Sequence, residues 1–113
     1  MPAGYQELFI EQGSNFTTSI TLDEADGSPF VLTGCQAKAS MKKSYYSNST
    51  TAEFVVQIND PTEGIIVMSL PHANTANIAA GRYVYDLLVK DSSNNVTRVL
   101  EGIVNVLPQV TVF

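Results

Sequence analysis

Gly81-Arg82-Tyr83-Val84-Tyr85-Asp86-Leu87-Leu88-Val89-Lys90 decides the fold. Tyr83, Tyr85, Leu87 and Val89 fall at every second position, the spacing that sends alternate side chains to one face of an extended strand. A helix would scatter the same four residues around its circumference. The opposite row, Val84, Asp86, Leu88 and Lys90, is half apolar, so Val84 and Leu88 are candidates for contact with a partner. Just ahead of the row, Gly81-Arg82-Tyr83 admits two readings. Tyr83 is either a plain buried aromatic or a tyrosine whose hydroxyl bonds back to the backbone of the preceding corner, as occurs at the start of the penultimate strand in immunoglobulin-like sandwiches.

The same period extends through most of the chain. Leu8 and Ile10 open it; Phe16, Thr18, Ile20 and Leu22 form a row opposed by Thr17, Ser19, Thr21 and Asp23. Cys35, Ala37, Ala39 and Met41 form another, whose small alanines predict a bulky crossing nearby. Phe54, Val56 and Ile58, then Ile66, Met68 and Leu70, continue the pattern. From Val96 to Leu107 the alternation changes phase, with Leu100, Val104 and Val106 in one register and Val99 and Ile103 in the other; Gly102 is the expected site of a bulge. Turn signals at Asp26-Gly27 with Pro29, Ser47-Asn48-Ser49, Asp60-Pro61 with Gly64, and Ser92 to Asn95 separate the rows. No stretch supports a long amphipathic helix, although Asn74 or Thr75 is placed to cap a single turn running to Ala80. The expected fold is therefore all-β, an antiparallel immunoglobulin-like β-sandwich of about seven to eight strands.

With 113 residues, 44% of them apolar and only 15% charged, residues 1–113 read as one domain with one core, and 108–113 as a possible docking tail. Eleven acidic residues against six Lys plus Arg give a net charge of −5, and the one adjacent basic pair is Lys42-Lys43. No positive stripe exists to neutralise phosphates, so nucleic acid is not an expected partner. Neither a signal peptide nor an apolar run of about 18 residues is found, so no membrane contact is expected. A lone Cys35 forms no internal disulfide, which fits synthesis in a reducing cytoplasm. The Asn-x-Ser/Thr triplets at Asn15, Asn48 and Asn95 match the glycosylation pattern, but without a secretory signal they read as composition.

Chemistry is sparse. His72, the single imidazole, falls in a connection and reads as a solvated loop residue; Cys35 lies in the inward phase beside alanines and reads as a small buried hydrophobe. One Cys and one His are too few for a structural zinc site. Asp23, Glu24 and Asp26 crowd a turn that lacks the twelve-residue calcium loop, so an acidic hairpin is expected there. Glu53, Glu63, Asp86 and Glu101 are available for a carboxylate pair, yet nothing in the sequence singles one out. No Gly-rich phosphate loop occurs. The chain is thus expected not to be an enzyme and to need no cofactor, metal or catalytic residue.

Two surface features point to assembly. Beyond Pro108 the chain reads Gln109-Val110-Thr111-Val112-Phe113, β-prone and without a charge, suited either to docking back on its own sandwich or to reaching a neighbouring subunit. Tyr45 and Tyr46, beside Lys42 and Lys43, make either a contact tip for protein or sugar or a lysine-guarded edge with one Tyr turned inward. The candidate interface is accordingly Tyr45, Tyr46, Val84, Leu88, Val110, Val112 and Phe113.

Several ordered pieces also resemble a known group. Phe9-Ile10-Glu11-Gln12-Gly13 leading to Phe16, Leu22-Asp23, Asp26-Gly27 and Leu32-Thr33-Gly34 are similar to the opening of small β-sandwich proteins of phage virions. Gly64-Ile65-Ile66, the Thr75/Ile78 turn, Gly81 to Leu87, Arg98-Val99-Leu100-Glu101-Gly102 and Val104-Asn105-Val106 before Pro108 continue the likeness, which covers nearly the whole chain. It is strongest to tail and other virion structural proteins of marine and cyanobacterial viruses. The resemblance implies an immunoglobulin-like fold without cofactor, made in the cytoplasm of a host bacterium. It further implies a place in the virion beside other virion proteins or further copies of itself, as a homo-oligomer or part of a larger assembly. A carbohydrate- or adhesin-type binding module is the alternative function.

Overall fold

The computed structural model describes residues 4–113. In chain order it runs through β1 (Gly4–Tyr5), β2 (Leu8–Glu11), β3 (Phe16–Thr21), β4 (Gln36–Lys42), β5 (Ala52–Glu53), β6 (Val55–Asp60), β7 (Ile65–Leu70), α1 (His72–Thr75), β8 (Gly81–Lys90) and β9 (Val96–Leu107). Since β1 and β2 lie along the same neighbour, the nine segments occupy eight strand positions. One sheet has the order β1-β9-β8-β4-β5 with β2 also on β9; the other is β3-β7-β6. Strands corresponding to C, F and G thus face strands corresponding to B, E and D, the immunoglobulin-like arrangement.

One pairing departs from the antiparallel expectation. β1 and β2 run parallel to β9, from Gly4 opposite Leu100 to Glu11 opposite Leu107. The sheet containing them is therefore mixed, while β4, β8 and β9 pair antiparallel.

The alternating rows become the core. Tyr83, Tyr85, Leu87 and Val89 on β8 are buried, as are Ile66, Met68 and Leu70 on β7, Ala39 and Met41 on β4, and Leu8 and Ile10 on β2. Between the layers, the Phe54 ring lies 6.0 Å from that of Phe16 and 6.2 Å from that of Tyr85, the latter pair edge-on. Phe54 is also where the chain leaves one sheet for the other, and its N–H donates to the Ala39 carbonyl at 3.0 Å. The small residues on β4 thus sit at the crossing.

The phase change in β9 is real, but its position differs from the expected one. Leu87 pairs with Leu100 and Leu88 with Arg98, which leaves Val99 as the extra residue, and Val99 and Leu100 are both buried. Gly102 stays in register opposite Tyr85. Its missing side chain serves a different end: the Gln6 carbonyl passes where a Cβ would stand, between β1 and β2, and accepts the Tyr85 hydroxyl at 2.6 Å. Burial, and secondarily the neighbouring Tyr5, holds the Tyr85 phenol well above the usual tyrosine range.

Tyr83 adopts the corner geometry. Its hydroxyl donates to the Ala79 carbonyl at 2.6 Å, and the Lys43 ammonium lies 4.8 Å from its ring centroid. The helical turn before it lies earlier than the cap signals suggested, spanning His72–Thr75 behind Pro71 without a side-chain cap. Pro71 supplies the extended entry, and Thr75 is used elsewhere. Fully buried, Thr75 donates its hydroxyl to the Ser14 carbonyl at 2.8 Å and accepts the Gly13 N–H at 3.1 Å. Gln12 Nε2 adds a bond to the Ile78 carbonyl at 2.8 Å. Together they pin the β2–β3 turn to the β7–β8 corner.

Two consequences are measurable. Thr75→Val strips both bonds from a dry site and is expected to cost about 1–3 kcal/mol, read as a lower urea midpoint at unchanged m, whereas Thr75→Ser retains most of the stability. The Tyr85 phenol is neutral in the fold at a pH where the unfolded chain already ionises it. Its contribution is complete below the unfolded pKa of about 10 and is lost as pH climbs toward the raised folded value. Urea midpoints measured from pH 8 to 11 should fall above pH 10, less so in Tyr85→Phe.

Candidate functional site

The outward residues of β4, β8 and β9 form the broad face of the larger sheet. Val84 stands opposite Ile103, Asp86 opposite Glu101 and Leu88 opposite Arg98. Val84 and Leu88 are half-buried, shielded by these neighbours and by the residues opposite them on β4. Arg98 approaches Asp86 with Nε at 3.5 Å and Glu101 with Nη1 at 3.9 Å, so this carboxylate pair, set face to face by the register, is bridged by a cation. The sequence could not single out this pair, because its meeting depends on the register between β8 and β9.

Beside this triad lies a hollow of about 210 Å³ lined by Ser40, Lys42, Tyr45, Val84, Asp86 and Arg98. Tyr45 is 56% exposed at its rim and Tyr46 is 94% exposed. Neither tyrosine turns inward; Lys43 covers the Tyr83 ring instead. The loop is held by Ser44, whose N–H donates to Ser47 Oγ at 3.1 Å. A bond-making surface of hydroxyls, a guanidinium and a carboxylate beside an aromatic wall suits a polar ligand or a polar protein rim.

The segment after β9 leaves the sheet just beyond Val106, which stands opposite Gly81. Val110 is 97% and Val112 74% exposed, Phe113 is also exposed, and among the described residues none of Gln109 to Phe113 belongs to a strand. Only its root is tied, through the Gln109 N–H donating to Gln12 Oε1 at 3.2 Å. With Gly13, Ser14, Asn15, His72 and Ala76 the segment borders a groove of about 580 Å³. His72 is exposed there, and its backbone N–H donates to Asn15 Oδ1 at 2.8 Å. The interface candidates thus fall in two places, Tyr45, Tyr46, Val84 and Leu88 on the broad face and Val110, Val112 and Phe113 at the end.

Elsewhere the polar clusters are accounted for by turns. Asp26 Oδ1 accepts the Ser28 N–H at 2.9 Å and the Ser28 hydroxyl at 2.6 Å, which holds its carboxyl below the ordinary value. The acidic segment is thereby a hairpin closed by the Asp23–Pro29 bridge. Asp91 is lowered in the same way by Asn95 and Ser93 in the β8–β9 turn. Cys35 is half-buried just ahead of β4 and packs against the core. Among the described residues no group of three or more His, Cys, Asp or Glu side chains is arranged to hold a metal ion, and no helix is long and apolar enough to cross a membrane.

No protein-family model matches the chain, and no curated protein sequence matches it. Solved structures do share its fold. CopC from Methylosinus trichosporium OB3b aligns with a TM-score of 0.50 at 12% identity, over 94% of this chain and 90% of that one. The SrpA adhesin from Streptococcus sanguinis aligns with a TM-score of 0.51 at 12% identity, over 90% of this chain and 55% of that one. At such identities the likeness is one of fold.

Proposed function

We propose that this chain is a structural protein of a bacteriophage particle, in tail, neck, baseplate or capsid decoration, and that it acts through contacts with other virion proteins or with its own copies. The observation that carries the reading is the exposed, uncharged, β-prone segment Gln109–Phe113 at one end of the sandwich. Apolar side chains held in water at one end of a folded domain gain by being covered, at about 25 cal/mol per Å² removed from solvent. The likeness to phage virion sandwiches supports the same reading. It involves no catalytic group and no cofactor.

A second reading rests on the Tyr45 hollow. An aromatic rim over Asp86 and Arg98 resembles the way sugars are held, by stacking and by charged hydrogen-bond partners, and an adhesin domain shares the fold. On that reading the chain is a carbohydrate- or adhesin-type module.

Immunoblotting of density-purified virus particles from cells expressing the chain during infection separates the two. The virion reading expects the chain to sediment with particles and to resist a salt wash. Recovery solely in the free protein fraction, together with glycan-array binding lost in Tyr45→Ala/Tyr46→Ala, would replace it with the second.

A further inference from the structure

We propose that the segment Gln109–Phe113 of one copy of this chain adds as a fourth strand to the open β3 edge of another copy. The inference rests on the assembly reading above and names its joint.

In constant-type immunoglobulin sandwiches the sheet of strands B, E and D also carries strand A beyond B. Here the segments preceding β3 have gone to the other sheet, where β1 and β2 pair parallel with β9. β3 is consequently the terminal strand of its sheet. Its six residues pair with β7 without a register break, from Phe16 opposite Leu70 to Thr21 opposite Ile65. The Leu22 N–H donates to the Gly64 carbonyl at the head of β7. By strand alternation the N–H groups of Ile20 and Thr18 face β7 too, and those of Thr17, Ser19 and Thr21 point outward.

Folded proteins guard such edges with lysine, proline, bulges or brevity. Each other edge among the described residues carries a guard. β6 has a register shift between Ile58 and Asp60, β5 has two residues including Glu53, and the β1/β2 edge is broken between Tyr5 and Leu8 and bears Glu7 and Glu11. β3 has none: from Gln12 to Leu22 there is neither a charge nor a proline.

The complementary half is the segment past Pro108. Gln109-Val110-Thr111-Val112-Phe113 is uncharged and alternates apolar Val110 and Val112 with Thr111, the pattern of a strand with one apolar face. Pairing with its own β3 is blocked by direction. β9 ends with Leu107 beside Glu11, β3 turns back only after residues 12–15, and the Gln109 N–H is already held by Gln12. The segment would have to reverse within Pro108.

The occupant is a second copy because the exposed uncharged segment and the unguarded uncharged edge lie on one chain, while direction keeps them apart within a single copy. Each copy donates one segment and offers one edge, so the contact is heterologous and builds a ring or a filament. Copies carrying −5 repel one another at long range, and added salt therefore strengthens the association.

Sedimentation velocity on the full chain from about 10 μM to about 1 mM tests the joint. The mass of the parent chain is expected to rise with concentration, while Val110→Pro/Val112→Pro and, separately, Ser19→Pro stay monomeric. Mixing the two variants should give one-to-one pairs that grow no further, since together they hold one intact segment and one intact edge. Val110 and Val112 are solvent-exposed, so their variant keeps the fold whatever becomes of Ser19→Pro. A synthetic peptide of residues 108–113 added to that isotope-labelled variant is expected to shift the Thr17, Ser19 and Thr21 amides. Parent-like multimers in the Val110→Pro/Val112→Pro variant would overturn the joint and leave the assembly reading standing. A parent chain monomeric throughout, with no β3 amide shifted by the peptide, would overturn the joint as well, and the particle experiment would still decide the assembly reading.

Discussion

β8 is the constraint on which the rest depends, because it is hydrogen-bonded on both sides and buried along one whole face. β4 pairs with it from Gln36 opposite Lys90 to Lys42 opposite Val84, and β9 from Val106 opposite Gly81 to Val96 opposite Lys90. Its backbone polar groups are thereby satisfied within the sheet, as a strand running through a domain centre requires. Its inward row, Tyr83, Tyr85, Leu87 and Val89, then fixes which face of every neighbour must be apolar. The two tyrosines also carry their hydroxyls to backbone carbonyls at Ala79 and Gln6, tying the corner before β8 and the break between β1 and β2 to the same strand. Burying such large rings is tolerable because both polar tips are bonded.

From that strand outward, the fold settles where apolar and polar surface can lie. Phe54 closes the layers at the point where the chain changes sheets, and Thr75 and Gln12 close the end nearest the β2–β3 turn. Because β1 and β2 are drawn to β9, the opposite sheet is left with three strands and an unguarded margin. The same end of the molecule releases the segment after Leu107. The exposed apolar segment and the open sheet edge therefore follow from strand placement, and the interior is filled by side chains.

Period two carried most of this information. The rows at Phe16, Cys35, Ile66 and Tyr83 emerged as strands because alternation survives whatever partner a strand finds. What escaped the sequence was set at long range. Val99 and Leu100 are both apolar, so neither phase marks Val99 as the bulged residue, while Gly102 carries the local bulge signal although its role is to admit the Gln6 carbonyl. Thr75 looked like a local cap, yet its partners Gly13 and Ser14 lie about sixty residues away. At the candidate site, the tail's lack of charge and β-prone composition were legible, whereas its exposure, the Asp86–Arg98–Glu101 cluster and the parallel course of β1 and β2 depend on long-range placement no local pattern encodes.

Residue-resolved amide hydrogen exchange on the full chain tests the central claim most directly, since protection ranks how deeply each backbone bond is embedded. The account places Tyr83 to Val89 and their partners on β4 and β9 among the slowest amides, with Gln109 to Phe113 exchanging fastest in dilute solution. Rapid exchange along Tyr83 to Val89, at rates like those of the terminal segment, would contradict it.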